Sequence, residues 1–129
     1  MGKQPEKPAS KPLRWVGSSK EDLSGFPDEV RKAMGYALHL AQIGLKAPRA
    51  KPLSGFVGAS VLEVVEDHDG DTYRAVYTVK FQDMVYVLHA FQKKSKKGIK
   101  TPKPDIDLIK DRLKWAAEDY QEYARSKKR

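Results

Sequence analysis

The chain has 129 residues, no cysteine and a formal net charge of +8, which suits one domain with one core and excludes a disulfide framework or a thiolate metal site. It lacks a secretory signal segment and an apolar run of membrane-spanning length, so the cytoplasm is the expected location and no membrane partner is predicted. The excess of positive charge favours nucleic acid or another acidic partner.

The first half of the chain predicts a tail, a strand and two helical segments. Residues 1–12 hold three prolines and few apolar side chains, which predicts a disordered N-terminal tail. The apolar run Leu13–Val16 predicts a short strand, after which Ser18 or Ser19 can cap a helical turn. From residue 28 to residue 44, apolar residues recur at steps of three and four, which predicts an amphipathic helix. Residues 46–60 hold two prolines and two glycines and are expected to form a connecting loop.

The second half predicts a sheet followed by one long helix. Strand-like runs at 61–66, 72–80 and 84–91 are joined by short turns, as in an antiparallel meander. Pro104 and Asp105 open the final helix, and residues 125–129 form a basic C-terminal tail, so the domain is expected to span residues 13–124. This order predicts an α+β fold in which an antiparallel sheet of about four strands packs its helices on one face.

A lysine-rich segment follows the last predicted strand. The lysine segment, residues 93–103, holds six lysines and no acid and supplies +6 of the net charge. Clustered lysines can neutralise several phosphates, although a solvated loop is the plain alternative. His89 and Phe91 lie just before it and could transfer a proton or stack on a base. The candidate RNA-binding residues are Arg49, Lys51, Phe91, Lys96, Lys97, Lys100 and Lys103.

Arg74 interrupts an otherwise apolar strand, where an unpaired guanidinium would be costly to bury. Two interpretations stay open: an ion pair with Glu63 or Glu66, or a contact with a phosphate group. His89 has two as well, because strand alternation could turn it into the core instead of towards a ligand. The three histidines are too scattered for a metal site, and no metal or cofactor is predicted.

Several segments together carry a resemblance to a known family. They are Arg14–Val16, Lys51–Gly55, Val61–Val64, Tyr73–Tyr77, Val85–Lys97 and Thr101–Pro102. In these segments the chain resembles the RelE/HigB superfamily of bacterial toxin ribonucleases, most closely its phage-derived HigB-like branch. The last strand and its lysines carry most of the likeness.

The resemblance implies a RelE-like endoribonuclease that cuts mRNA on the ribosome and is neutralised by a helix-turn-helix antitoxin. Its implied chemistry is metal-independent attack of a ribose 2′-OH on the adjacent phosphate. Catalytic roles are implied for Arg74, Lys93 and Lys94, and His89 is a further candidate by its chemistry. Toxins of this superfamily often have a proton-transfer residue near the carboxyl terminus, for which only Asp105 or Tyr120 could stand here.

Two alternatives to an enzyme remain. The first is a non-catalytic binding module that keeps a RelE-like fold for antitoxin or nucleic-acid binding and transcriptional control. The second is a phage structural or DNA-packaging accessory protein, which rests on charge alone. A binder does not need an acid/base partner at its site, so that partner discriminates between a binder and an enzyme.

Overall fold

A computed structural model describes residues 10–93 and 100–127 of the chain. Its elements, in chain order, are β1 (Leu13–Trp15), α1 (Ser19–Ser24), α2 (Asp28–Gln42), β2 (Lys51–Pro52), β3 (Val61–His68), β4 (Asp71–Thr78), β5 (Val85–Lys93) and α3 (Lys103–Lys127). The predicted α+β class is confirmed, and every predicted strand and helix is present with small shifts at its ends. None of the helices in the described ranges is long and apolar enough to cross a membrane.

The strands form one five-stranded sheet in the order β1-β5-β4-β3-β2. Strands β3 to β5 pair antiparallel, as predicted. In addition, β2 pairs antiparallel with β3, and β1 runs parallel to β5. The strand β2 was not predicted and lies within the predicted loop. It consists of two residues, with Lys51 paired to Glu63 and Pro52 paired to Leu62. Two residues are too few to show an alternating pattern, and a proline is tolerated there because β2 is an edge strand.

Helices cover both faces of the sheet, so the prediction that they pack on one face is wrong. On one face, Tyr73, Ala75 and Tyr77 of β4 pack with the buried side of α2. On the other face, Val76 packs with Ile109 of α3. Because side chains alternate along a strand, a strand covered on both faces is apolar at nearly every position, and almost all of β4 is buried.

A β-bulge in β5 sets which face its last residues occupy. Tyr77 lies opposite Val87, but the preceding Val76 lies opposite His89, so Leu88 is an extra residue in β5. Regular alternation from Val87 would place His89 on the α2 face, whereas the bulge moves it to the α3 face. Phe91, opposite Arg74, shares that face.

The structure describes the end of the predicted N-terminal tail and the start of the predicted C-terminal tail. Residues 1–9 and 128–129 lie outside the described residues. Lys11 is bonded through its backbone to the end of α2, and the Pro12 carbonyl accepts from the Val85 amide. At the other end, α3 continues to Lys127 and includes the first residues of the predicted basic tail.

The C-terminal half of α3 is fixed to the sheet by Asp119. Its Oδ2 accepts hydrogen bonds from Arg14 Nη1 of β1 (2.6 Å) and from the Tyr86 hydroxyl of β5 (2.7 Å). Burial alone would raise the pKa of Asp119, but the hydrogen bonds from Tyr86 and Arg14 and the Arg14 charge outweigh it and lower that pKa. The ionised carboxylate therefore ties together two strands and the helix.

Candidate functional site

A cleft of about 720 Å³ opens on the α3 face of the sheet, between the β2–β3 edge and the first turns of α3. One side is apolar and is formed by Pro52, Leu53, Val65 and Ile106. The charged lining consists of Lys51, Glu63, Arg74, Lys100, Lys103, Asp107 and Lys110. Five cations against two acids give the cleft a net positive charge, and a concave surface of one dominant sign concentrates ions of the opposite sign.

An ion pair between Glu63 and Arg74 lies at the base of the cleft. Arg74 Nη1 donates to Glu63 Oε1 at 3.1 Å, and Thr101 Oγ1 donates to Glu63 Oε2 at 2.5 Å. The side chains of Arg74 and Glu63 are only 5% and 13% exposed. Of the open interpretations of Arg74, the ion pair with Glu63 is therefore confirmed, and the guanidinium also lines the cleft.

Lys51 and Arg49 differ in their relation to the cleft. Lys51 lies opposite Glu63 across the β2–β3 pairing and lines the cleft. The Arg49 guanidinium instead donates to Glu66 Oε1 at 2.8 Å and borders a smaller neighbouring pocket, together with Lys51 and Glu63. The basic surface thus continues around the sheet edge, with Arg49 partly neutralised by Glu66.

His89 belongs to a separate cluster against the start of α3. Its side chain is buried, its Nε2 lies 2.8 Å from Asp105 Oδ1, and its Nδ1 lies 3.4 Å from Arg112 Nη1. Arginine can only donate, so the network assigns Nδ1 as the acceptor and places the ring proton on Nε2, towards Asp105. Both ring nitrogens therefore have protein partners, and His89 does not line the cleft.

Phe91 stands between the two clusters. Its ring stacks on His89 with centroids 4.6 Å apart, and its strand partner across the β4–β5 pairing is Arg74. It is not among the residues that line the cleft. The position suits a spacer that supports both groups from the side of the sheet.

The lysine segment is divided in the structure. Lys93 ends β5 opposite Thr72 and does not line the cleft, whereas Lys100 and Lys103 do. The predicted site residues Lys94, Lys96 and Lys97 lie outside the described residues. Among the predicted residues, the structure therefore brings together Arg74, Lys51, Lys100 and Lys103.

The predicted site lacks several residues of the cleft lining: Thr101, Asp107 and Lys110 were not predicted, and Glu63 was expected only as an ion-pair partner. Two signals could have found more of the site. Glu63 interrupts the apolar strand β3. In the β3–β4 pairing it lies diagonal to Arg74, where side chains of opposite charge can interact. Lys110 follows Lys103 by seven residues, which is two helical turns and the same helix face. In the part of the chain that the structure describes, no three His, Asp or Glu side chains cluster as a metal site.

The model of the phage-derived Gp49-like protein family matches residues 21–114, well over half of the chain. A mutant of the E. coli toxin RelE in the free state is 18% identical over 63% of this chain and 81% of that chain, with a TM-score of 0.47. The toxin–antitoxin complex RelBE2 from Mycobacterium tuberculosis is 18% identical over 67% of this chain and 95% of that chain, with a TM-score of 0.40. No curated protein matches.

Proposed function

This chain belongs to the phage-derived Gp49-like protein family, and we propose that it is a toxin endoribonuclease that cleaves mRNA. The observation that carries the proposal is the Glu63–Arg74 pair at the base of a cleft with four lysines on its walls. The RelE/HigB-like segments of the sequence support the same activity. Ribosomes and mRNA are then its cytoplasmic partners, and a helix-turn-helix antitoxin is its regulator.

The cleft offers the groups that metal-independent RNA cleavage needs. The ribose 2′-oxygen attacks the neighbouring phosphorus, its proton passes to the Glu63 carboxylate, and the bond from phosphorus to O5′ breaks. We assign stabilisation of the charge on the crowded phosphate to the Arg74 guanidinium and to the lysine ammonium groups of the cleft lining. Lys103 would exchange its contact with Asp107 for one with the phosphate. The products are a 2′,3′-cyclic phosphate and a 5′-hydroxyl.

The lysines have two roles in this proposal. Lys103 and Lys110 lie two turns apart on one face of α3, about 10 Å along the helix axis, which suits successive phosphates of an extended strand. Lys100, next to the Glu63–Arg74–Thr101 group, is the ammonium that we assign to protonate the departing O5′. Lys93, which ends β5 and does not line the cleft, is a further candidate for a phosphate contact.

His89 takes a supporting role instead of the acid/base role for which its chemistry made it a candidate. Its two nitrogens face Asp105 and Arg112, so proton exchange with RNA would first require one of these contacts to break. The pairing of His89 with Asp105 holds the first turn of α3 against β5, and this turn carries Lys103 into the cleft. Phe91 supports the same arrangement by stacking on His89.

The test is cleavage of a defined mRNA by the purified protein, with and without ribosomes, read by primer extension and by analysis of the product ends. Wild-type protein should yield fragments with 2′,3′-cyclic phosphate and 5′-hydroxyl ends. Glu63→Gln should lower the rate by about 100-fold or more, as expected for loss of a general base. Lys32→Gln, a charge change on the exposed side of α2, which covers the opposite face of the sheet, should cleave like wild type.

Two outcomes would contradict the proposal. If the wild-type protein binds RNA but cleaves neither free nor ribosome-bound mRNA, the chain is a binding module. If the fragments carry 5′-phosphate ends, another cleavage chemistry operates and Glu63 does not have the assigned role.

A further inference from the structure

Thr101 occupies the junction between the lysine segment and the Glu63–Arg74 pair. It is a half-buried residue just before α3, and Lys100 and Lys103 flank it in sequence. Its Oγ1 lies 2.5 Å from Glu63 Oε2 and 3.5 Å from Arg74 Nη1. A hydroxyl has a single proton, so the proton is directed to the carboxylate and the oxygen remains an acceptor for the guanidinium. Thr101 therefore bridges both members of the pair.

The bridge fixes the orientation of the Glu63 carboxylate. Oε1 is held by Arg74 and Oε2 by Thr101, and the terminal torsion of a glutamate is otherwise broad. Each carboxylate oxygen has two lone pairs, so one on each oxygen stays available to the cleft. With both ends of the carboxylate held, these lone pairs point in set directions and do not rotate with the side chain.

The same contact joins chemistry to substrate binding. Lys100 and Lys103, on either side of Thr101, both line the cleft, so a phosphate bound between them lies beside the residue that holds Glu63. Glu63 and Arg74 are on strands of the sheet, whereas Thr101 comes from the chain that leads into α3. Among the described residues of the lysine segment, Thr101 is thus the one whose hydroxyl contacts the Glu63 carboxylate.

We propose that Thr101 is a positioning residue for RNA cleavage, which aligns the Glu63 carboxylate with the 2′-hydroxyl without itself contacting the reacting atoms. The inference rests on the proposed function, because it gives Glu63 a proton to accept. Misplacement of a reacting group by about 1 Å can slow a reaction by about 100-fold. We expect substrate binding to change little, because Thr101 does not contact the reacting atoms.

The kinetic test compares Thr101→Val with Thr101→Ser. Valine keeps the shape and removes the hydroxyl, so kcat should fall by about 10- to 100-fold with KM nearly unchanged. Serine keeps the hydroxyl and should restore most of kcat. Thr78→Val is the matched control, since it removes another buried threonine hydroxyl, bonded to the Ser60 carbonyl at 2.9 Å and outside the cleft, and kcat should stay near wild type.

A crystal structure of Thr101→Val separates failure of this inference from failure of the proposed function. The Glu63 carboxylate should rotate or become disordered while the fold is kept. If it stays in place, or if Thr101→Val cleaves at the wild-type rate, Thr101 is not a positioning residue. If the wild-type protein has no cleavage activity, the proposed function fails, and the role of Thr101 in cleavage is overturned with it. A displaced Glu63 carboxylate in Thr101→Val would in that case still show that Thr101 orients Glu63.

Discussion

Glu63 and Arg74 lie diagonally across the β3–β4 pairing and form an ion pair at the base of the cleft. In the register of these strands Arg74 faces Val65, so Glu63 is two residues away on the same face of the sheet. The distance from Arg74 Nη1 to Glu63 Oε1 is 3.1 Å. Each charge makes the burial of the other tolerable, so the stability of the fold depends on this pair.

Removal of the arginine should destabilise the fold. Arg74→Ala leaves the Glu63 carboxylate buried without its cation, and we expect the free energy of unfolding to fall by about 3 kcal/mol. The double variant Glu63→Gln/Arg74→Met should lose less than Arg74→Ala, because it removes both charges and keeps side-chain volume. Urea unfolding followed by circular dichroism measures both. A double variant as unstable as Arg74→Ala would show that the pair is not the source of the loss.

The Tyr77 hydroxyl is buried and, among the residues that the structure describes, has no hydrogen-bond partner. Its replacement by phenylalanine should be neutral or stabilise the protein by up to about 1 kcal/mol, since no hydrogen bond is lost. Tyr86→Phe is the contrasting variant, because it removes the bond to Asp119 and should destabilise by about 1–2 kcal/mol. Thermal unfolding of both variants decides whether the two buried tyrosines differ in this way.

Tyr77 should also contribute to alkaline unfolding. Burial raises the pKa of Tyr77 from 10.0 to about 12. The folded state then holds this proton more tightly than the unfolded chain does, so the contribution is complete below pH 10 and is lost as the pH rises towards 12. Tyr77→Phe should make the free energy of unfolding fall less steeply over this range. An unchanged slope would contradict the assignment.

Asp119 should govern part of the acid unfolding. Its lowered pKa means that its contribution is complete above the ordinary value of 3.8 and is lost as the pH falls through the lower folded value. Asp119→Asn should cost about 1.5–3 kcal/mol at neutral pH, the usual range for charged hydrogen bonds, and should flatten the acid limb of the stability profile. Unfolding measured from neutral pH into this acid range tests both effects. Glu122→Gln, an exposed change on the same helix, is the control.

The salt dependence of RNA binding should identify the lysines that contact phosphates. Lys100→Gln, Lys103→Gln and Lys110→Gln should each reduce the slope of log K against log salt by about 0.7, the value for one contact with single-stranded nucleic acid. Lys32→Gln, on the opposite face of the sheet, should leave the slope unchanged. Fluorescence anisotropy with a labelled single-stranded RNA at several salt concentrations provides the slopes. Equal slopes for all four variants would place the RNA outside the cleft.

If His89 supports α3 and does not transfer protons, His89→Gln should separate stability from chemistry. We expect a loss of about 1–2 kcal/mol in unfolding free energy, because the contact with Asp105 is weakened. At a temperature where the variant is fully folded, kcat should remain close to wild type. A loss of kcat comparable to that of Glu63→Gln would restore His89 as a proton-transfer residue.

Periodicity and charge are local properties of the chain, and they were enough to predict the helices, the long strands and the basic character of the site. The apolar steps of α2 and the β-branched runs of β3 to β5 predict those elements directly. The charge interrupting β4 pointed to Arg74 for the same reason, since a buried guanidinium needs a partner wherever the strand lies.

Which residues share the cleft depends instead on how distant parts of the chain pack together. The bulge at Leu88 changes the face of the sheet on which His89 lies. No local sequence pattern in β5 predicts this bulge. Thr101 reaches Glu63 across 38 positions of the chain, and β1 joins β5 in parallel, contacts that depend on how distant segments pack. Side-chain alternation predicts the face of the sheet on which a residue lies only while the strand register is regular. The set of residues that line the cleft therefore depends on the pairing of the strands and on the packing of α3 against the sheet.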